Sequence, residues 1–331
     1  MGARGLKPLH FGRFDAALKR RFFHGGFRLS RCFPLLGGSG FLGTMLSRKL
    51  VAAGYDVVIL TRSPKVSAEK ITQVAWDGKT VGEWATFMKG AEAVVNLTGK
   101  SVNCRYTERN RQEIINSRVN SVNAIASAIS RCANPPRSWV QTGSLAIYGN
   151  AGDKTCDETA PFGTGFSVDT CKLWERSFDA AVTPSTRKVL LRIGLALGQE
   201  GALLAGLSRI TRCFLGGAAG SGRQYMSWLH IQDLNDMFLW AIERVDVAGT
   251  FNATGPCPVT NSDFMQALRS ALRRPWSPPL PVWAVHIGAR LMDTEPQLIL
   301  TGRRCVPRRF ADIGFPFRFP NLELALSDIF P

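Results

Sequence analysis

The chain has 331 residues, 45% of them hydrophobic and 20% charged, with a formal net charge of +16. That length buries a full core, and no apolar run reaches the length of a membrane-spanning helix, so the expectation is a soluble protein with one large α/β domain and a smaller appendage. Eight cysteines without a C-x-x-C pair, and four histidines without metal-like spacing, argue against a zinc site or a disulfide scaffold and fit a reducing compartment; no metal is expected.

Residues 1–31 carry eight Lys/Arg against Asp15 alone, which contributes +7 and leaves +9 for the rest. Phe11, Phe14, Leu18 and Phe22 fall on one helical face, with Arg13, Lys19 and Arg20 off it. A basic, acid-poor amphipathic segment of this kind resembles a mitochondrial transit peptide; the competing reading is a basic arm that docks on RNA, lipid or a partner. Cys32–Leu36 then reads as a buried strand that enters the turn Gly37-Gly38-Ser39-Gly40 and a helix from Phe41 to Ala53. The spacing Gly37-x-x-Gly40-x-x-Gly43 lets the backbone turn sharply, lets a pyrophosphate approach it and lets the helix pack closely on the sheet. The helix start offers free N–H groups and the positive end of its dipole to phosphates.

Gly54-Tyr55 leads into a second strand, Val57–Leu60, followed by Thr61-Arg62-Ser63. An NAD-preferring site places a carboxylate at the end of this strand, for the ribose hydroxyl. Arg62 stands here instead, suits a 2′-phosphate and favours NADP; otherwise it is a surface arginine. A strand over Ala91–Leu97 ends in Asn96-Leu97-Thr98-Gly99. A long helix from about Glu108 to Arg131 shows Ile114, Ile115, Val119, Val122, Ile125 and Ile129 at helical spacing. Pro135-Pro136 precedes a strand at Trp139–Ser144, and Lys188–Leu197 reads as another. Strands and helices alternating in this way imply a doubly wound parallel sheet. The reading divides the chain into a targeting segment (1–31), a Rossmann domain (32–255) with a cleft-forming insertion near 201–222, and a small C-terminal domain (256–331). Arg269, Arg273, Arg274, Arg303, Arg304, Arg308, Arg309 and Arg318 cluster late, most simply as a solvated face, although such a surface also suits RNA phosphates or anionic lipid.

Several separated motifs carry a family resemblance from about Cys32 to the C-terminus. They include Gly37–Gly43, Trp76-Asp77-Gly78, Val94-Val95-Asn96-Leu97-Thr98-Gly99, Ser117-Arg118-Val119 and Thr142-Gly143-Ser144. Further along stand Trp174-Glu175, Arg192-Ile193-Gly194, Ser227-Trp228-Leu229-His230 and Val306-Pro307-Arg308-Arg309. In this order they resemble the atypical extended short-chain dehydrogenase/reductases, and within them the epimerase-like group that includes the human family-39U protein and bacterial relatives. Active members of the superfamily use a Tyr-x-x-x-Lys pair, with a serine polarising the substrate. Counted back from Trp174-Glu175, the pair belongs at Ser167 and Cys171, and Ser144 matches the serine. Lys172 lies beside the lysine position, but one residue along a helix turns a side chain by about 100°. Cys171 is expected as a buried structural thiol, Tyr148 as a pocket-shaping residue, Asp233 as a helix cap, and Arg223 and Gln224 as substrate contacts.

The resemblance implies NADP(H) as cofactor. The expected binding residues are Gly37, Ser39, Gly40, Phe41, Leu42, Gly43 and Arg62, with Leu97, Thr98 and Gly99 beside the nicotinamide half, and Ser144 is the sole catalytic candidate. Two functions stay open. One is an NADP-dependent oxidoreductase or epimerase of the mitochondrial matrix acting on an unidentified small molecule. The other is a lapsed, cofactor-bound subunit of a large mitochondrial complex, respiratory or ribosomal. Direct RNA contact has no motif behind it.

Overall fold

The computed structural model describes residues 32–65 and 70–331; the proposed targeting segment lies outside them. Seven parallel strands form the central sheet: β1 (Cys32–Leu36), β2 (Asp56–Thr61), β3 (Ile71–Ala75), β4 (Ala93–Asn96), β5 (Ser138–Ser144), β7 (Arg187–Ile193) and β11 (Gly249–Ala253). Their order is β11-β7-β5-β4-β1-β2-β3, paired in parallel throughout. The inner strands are buried on both faces, and β1, β2 and β4 read as near-continuous apolar runs, as parallel sheets favour. Alternate residues divide between two cores. Phe33, Leu35, Val57, Ile59, Ala93, Val95, Val140, Val189 and Leu191 face α1 (Phe41–Ala52) and α5 (Ile231–Glu243). Cys32, Leu36, Val58, Leu60, Val94, Trp139 and Leu190 face α2 (Glu108–Ser130), α3 (Phe166–Asp179) and a 3₁₀ turn at Glu83–Met88.

The structure adds two strands to the sheet read from sequence, β3 and β11, and divides another. The edge strand β3 alternates half-buried Ile71 and Gln73 with buried Thr72 and Val74, a pattern too polar to stand out in sequence. Lys188–Leu197, read as one strand, breaks at Gly194. A Cβ there would lie 2.5 Å from the Ser227 carbonyl oxygen, and the chain leaves the main sheet for β8 (Leu195–Leu197), which pairs with β10 (Trp228–His230).

Beyond residue 255 the chain is largely helical. Here α6 (Asn261–Ala271) and α10 (Leu322–Ile329) pack through Phe264, Met265, Leu268, Ala325 and Leu326. Between them lie α7 (Val282–Leu291), α8 (Gln297–Leu300) and α9 (Arg308–Asp312). Asp233 does not cap α5. The cap is His230, whose side chain accepts from the Gln232 N–H. The Asp233 carboxylate is buried and accepts the backbone N–H groups of Arg318 (2.9 Å) and Phe319 (3.1 Å), tying the C-terminal segment to the Rossmann core.

Candidate dinucleotide cleft and its polar inventory

The strand order reverses direction at β1, between β2 and β4, and ligands of doubly wound sheets bind at this crevice, outside the carboxyl ends of the strands. The glycine turn sits there. Gly37 has φ +74°, and a Cβ on it would lie 2.9 Å from the backbone of Leu97 and Thr98, so glycine lets the turn press against the end of β4. Gly43 packs on the turn itself, since a Cβ there would meet the Gly38 Cα at 2.3 Å. Gly40 is the opposite case. It is the N-cap of α1, supplies no side-chain cap, and a Cβ on it would meet nothing within 4 Å. The helix start is thus open to a ligand, with no acid in its first turn.

The other expected cofactor residues fall around this opening. The Thr61 hydroxyl reaches the Ser39 hydroxyl at 3.3 Å, which joins the turn to the end of β2, where Arg62 is exposed. The Phe41 ring abuts Gly198 and Gly201, in whose places a Cβ would lie 2.9 and 3.2 Å from it; Leu42 is half-buried beside it. Leu97, Thr98 and Gly99 are held by a buried amide. The Asn96 side chain accepts from the Thr98 N–H (3.0 Å) and donates to Ser121 (3.1 Å) and Gln141 (3.0 Å), while the Thr142 hydroxyl donates to the Asn96 carbonyl. A satisfied buried network of this kind rigidifies the floor of the crevice.

The expected proton-transfer groups are differently placed. Ser144 ends β5, and its hydroxyl accepts the Ala146 N–H at 3.2 Å. Cys171 is buried; burial, and then the nearby Glu175 carboxylate, push its thiol up to about 12, so it stays a neutral thiol. Ser167 is half-buried one turn earlier. The Lys172 ammonium donates to the Gly163 carbonyl at 3.3 Å and is half-buried rather than free in solvent. Tyr148 is committed elsewhere: its hydroxyl donates to the Asn252 side chain and accepts from Arg192, both at 2.8 Å, and burial raises it to about 12. Arg192 in turn makes a two-pronged pair with Glu175 at 2.9 and 2.8 Å.

Of the expected substrate contacts, Gln224 donates to the Ala219 and Ile299 carbonyls at 3.0 and 3.1 Å and so staples loops together, whereas Arg223 is exposed. Two cations named in the sequence reading were given no role in the site. The Arg118 guanidinium lies over the Trp174 ring at 5.0 Å and donates to the Lys100 and Ile114 carbonyls. Arg303 has a buried Nε without a hydrogen-bond partner, and burial lowers the pKa of both arginines. Among the described residues neither has an ion pair, and both lie within electrostatic reach of Cys171. Tyr106 was overlooked altogether: its ring meets Phe166 edge-on at 4.9 Å, and its buried hydroxyl sits next to Ser167.

Comparison with known proteins places this geometry. The NAD dependent epimerase/dehydratase family matches residues 35–253, and a domain of unknown function (DUF1731) matches residues 280–329. Epimerase family protein YfhF of Bacillus subtilis is 31% identical over 298 residues, covering 89% of this chain and 96% of that protein. Epimerase family protein SDR39U1 of Homo sapiens is 33% identical over 299 residues, covering 88% and 97%. A crystal structure of human SDR39U1 (isoform 2) with NADPH matches with a TM-score of 0.81 over 90% of this chain and 98% of that one. A chloroplastic SDR39U1 homolog of Arabidopsis thaliana is 30% identical over 298 residues, covering 88% of this chain and 85% of that protein.

Proposed function

The chain belongs to the NAD dependent epimerase/dehydratase family, and from that premise we propose that it binds NADP(H) and acts on a small-molecule substrate through an unconventional, slow relay. The observation that carries the reading is the unfilled space over Gly40 at the crevice between β1 and β4. The NADPH in the human relative's structure supports the same choice. Gly37, Ser39, Gly40 and the N-terminus of α1 would hold the pyrophosphate, and Arg62 would pair with the 2′-phosphate through a charge-assisted bond. Leu97, Thr98 and Gly99 would flank the nicotinamide half. A bound nicotinamide supplies hydride transfer; the chain's own task is to orient it, exclude water and deliver a proton.

That last task is poorly provided for. Neutral Cys171, Ser167 and the diverted Lys172 leave no tyrosine–lysine relay on α3, and general acid–base help is typically worth about 10²–10⁴ in rate. These same placements favour a second reading, in which the protein is a cofactor-loaded subunit of a larger mitochondrial assembly whose chemistry has lapsed. The basic amphipathic segment 1–31 supports a mitochondrial matrix location, and the chloroplastic plant homolog is an organellar relative.

The deciding experiment titrates NADPH and NADH against the wild type and Arg62→Ala, then follows NADPH oxidation with aldehydes, ketones and quinones. Tighter binding of NADPH than of NADH, lost in Arg62→Ala, supports the assignment; equal affinities in the wild type refute it. Turnover abolished by Ser144→Ala supports the enzyme reading. No turnover, together with co-migration of the native protein with a large complex, supports the subunit reading.

A further inference from the structure

One surface around α7 leaves large apolar side chains in solvent. Trp276 and Trp283 are 67% and 68% exposed and Leu291 82%, while Phe214, Leu215 and Ile287 are each more than half exposed. Trp283, Ile287 and Leu291 recur every four residues along the outer side of α7, whose inner side is buried through Val285 and Ala289. The helix is therefore apolar on both sides, which a helix on a purely water-facing surface is not.

Contacts draw the other residues into the same region. Gly217 packs so closely on Pro278 and Pro279 that a Cβ would strike the Pro278 carbonyl. Ala219 bridges to Leu280, the Arg269 side chain donates to the Gly216 carbonyl at 2.8 Å, and the Arg274 guanidinium lies 5.0 Å over the Phe214 ring. The turn carrying Phe214 and Leu215 is thus held to the segment that carries Trp276 and leads into α7.

The charge of this region is mostly positive. Residues 201–232 hold three arginines and no acid, and residues 264–292 hold four arginines and no acid, with the exposed Asp263 and Asp293 just beyond the ends of this second stretch. Arg212, Arg223, Arg273 and Arg290 are exposed. A second copy of the chain on this face would set arginine against arginine. A nucleic acid would meet the arginines and leave the tryptophans and leucines wet. An anionic bilayer takes both, with phosphates on the guanidiniums and apolar side chains at the boundary between headgroups and acyl chains.

We propose that this face docks the protein peripherally on an anionic phospholipid surface, with Trp276, Trp283 and Leu291 entering the boundary and Arg273, Arg274 and Arg290 on lipid phosphates. Among the described residues no helix is long and apolar enough to cross a membrane, so the protein lies on the bilayer through this face. The inference stands apart from the cofactor site and from whether that site turns over.

The test is co-sedimentation of the full chain with phosphatidylcholine vesicles, with and without phosphatidylserine, paired with tryptophan quenching by brominated lipid. Wild type is expected to bind the anionic vesicles, less so at high salt, and to be quenched. Arg273→Gln with Arg274→Gln should weaken partitioning roughly 25-fold, at roughly fivefold per arginine. Trp276→Phe with Trp283→Phe should remove the quenching, while NADPH binding reports that each variant is folded. Unchanged partitioning of the arginine variant, or quenching that survives the double Phe variant, overturns the proposal. So does absence of binding to the anionic vesicles, whether the chain is monomeric or forms a dimer that shields Trp276 and Trp283.

Discussion

Gly40→Leu separates binding from folding more sharply than any other substitution in the cleft. Gly40 has φ −85° and ψ 178°, a conformation leucine adopts freely, and its Cβ would meet nothing within 4 Å. Losing glycine at an N-cap costs about 1 kcal/mol, and the stiffer unfolded chain returns about 0.4–1 kcal/mol. The net change is within about 1 kcal/mol. At a melting entropy of about 2.1 cal/mol/K per residue, a domain of this size shifts by no more than about 2 °C. NADPH at 100 times its Kd should add about 2.7 kcal/mol to the wild type, a rise of about 4 °C, by mass action. In Gly40→Leu the isobutyl group occupies the pyrophosphate's place, so that rise should vanish. Gly43→Ala is the counterpart: its Cβ would sit 2.3 Å from the Gly38 Cα, a backbone clash no rotamer relieves, costing about 3 kcal/mol. Thermal melts with and without NADPH read both variants. A retained NADPH shift in Gly40→Leu, or a melting loss beyond about 5 °C in its absence, refutes the reasoning.

Two further substitutions test the scaffold behind the cleft. Arg192→Met strands the buried Glu175 carboxyl, whose pKa burial already raises against the pull of Arg192; breaking such a pair costs about 3–5 kcal/mol, and a melting loss below about 2 °C would contradict this. Burial lowers the pKa of His230, and its Nδ1 accepts the Gln232 N–H at 3.3 Å, which requires the neutral ring. Because the unfolded histidine binds the proton more readily, stability should fall as pH drops below about 6.5 and continue to fall toward the folded-state pKa. His230→Asn keeps a capping side chain and should flatten that slope in urea melts; an unaltered slope would assign the titration to another group.

What was legible in the sequence was what local pattern controls. The apolar runs of β1 and β2 announce strands buried on both faces, and Gly37, Gly40 and Gly43 announce the turn between β1 and α1 because their spacing is local. Contacts between distant segments were not legible. Gly194 breaks a strand only because the Ser227 carbonyl approaches it, and Asp233 looks like a cap until Arg318 and Phe319 arrive from the far end of the chain. Composition made the late arginines one solvated cluster, yet Arg303 is half-buried with its Nε out of solvent, while Arg273 and Arg290 lie exposed among apolar side chains. Tyr106, Arg118 and Arg303 lie far apart in sequence, and only the fold brings them to α3.

The polar groups around the crevice explain why a recognisable dinucleotide fold lacks a recognisable relay. Ser144 accepts a backbone N–H, Tyr148 completes the chain from Asn252 through Arg192 to Glu175, and Lys172 serves the Gly163 carbonyl. The hydroxyls and the ammonium nearest the expected relay positions are here bound into the scaffold. The guanidiniums of Arg118 and Arg303 are the exception. Both are half-buried and, among the described residues, have no carboxylate partner, and burial lowers the pKa of each. Cys171 is a neutral thiol within electrostatic reach of both, so the neighbourhood of α3 is cationic rather than acid–base. Its chemistry therefore favours holding negative charge over relaying protons.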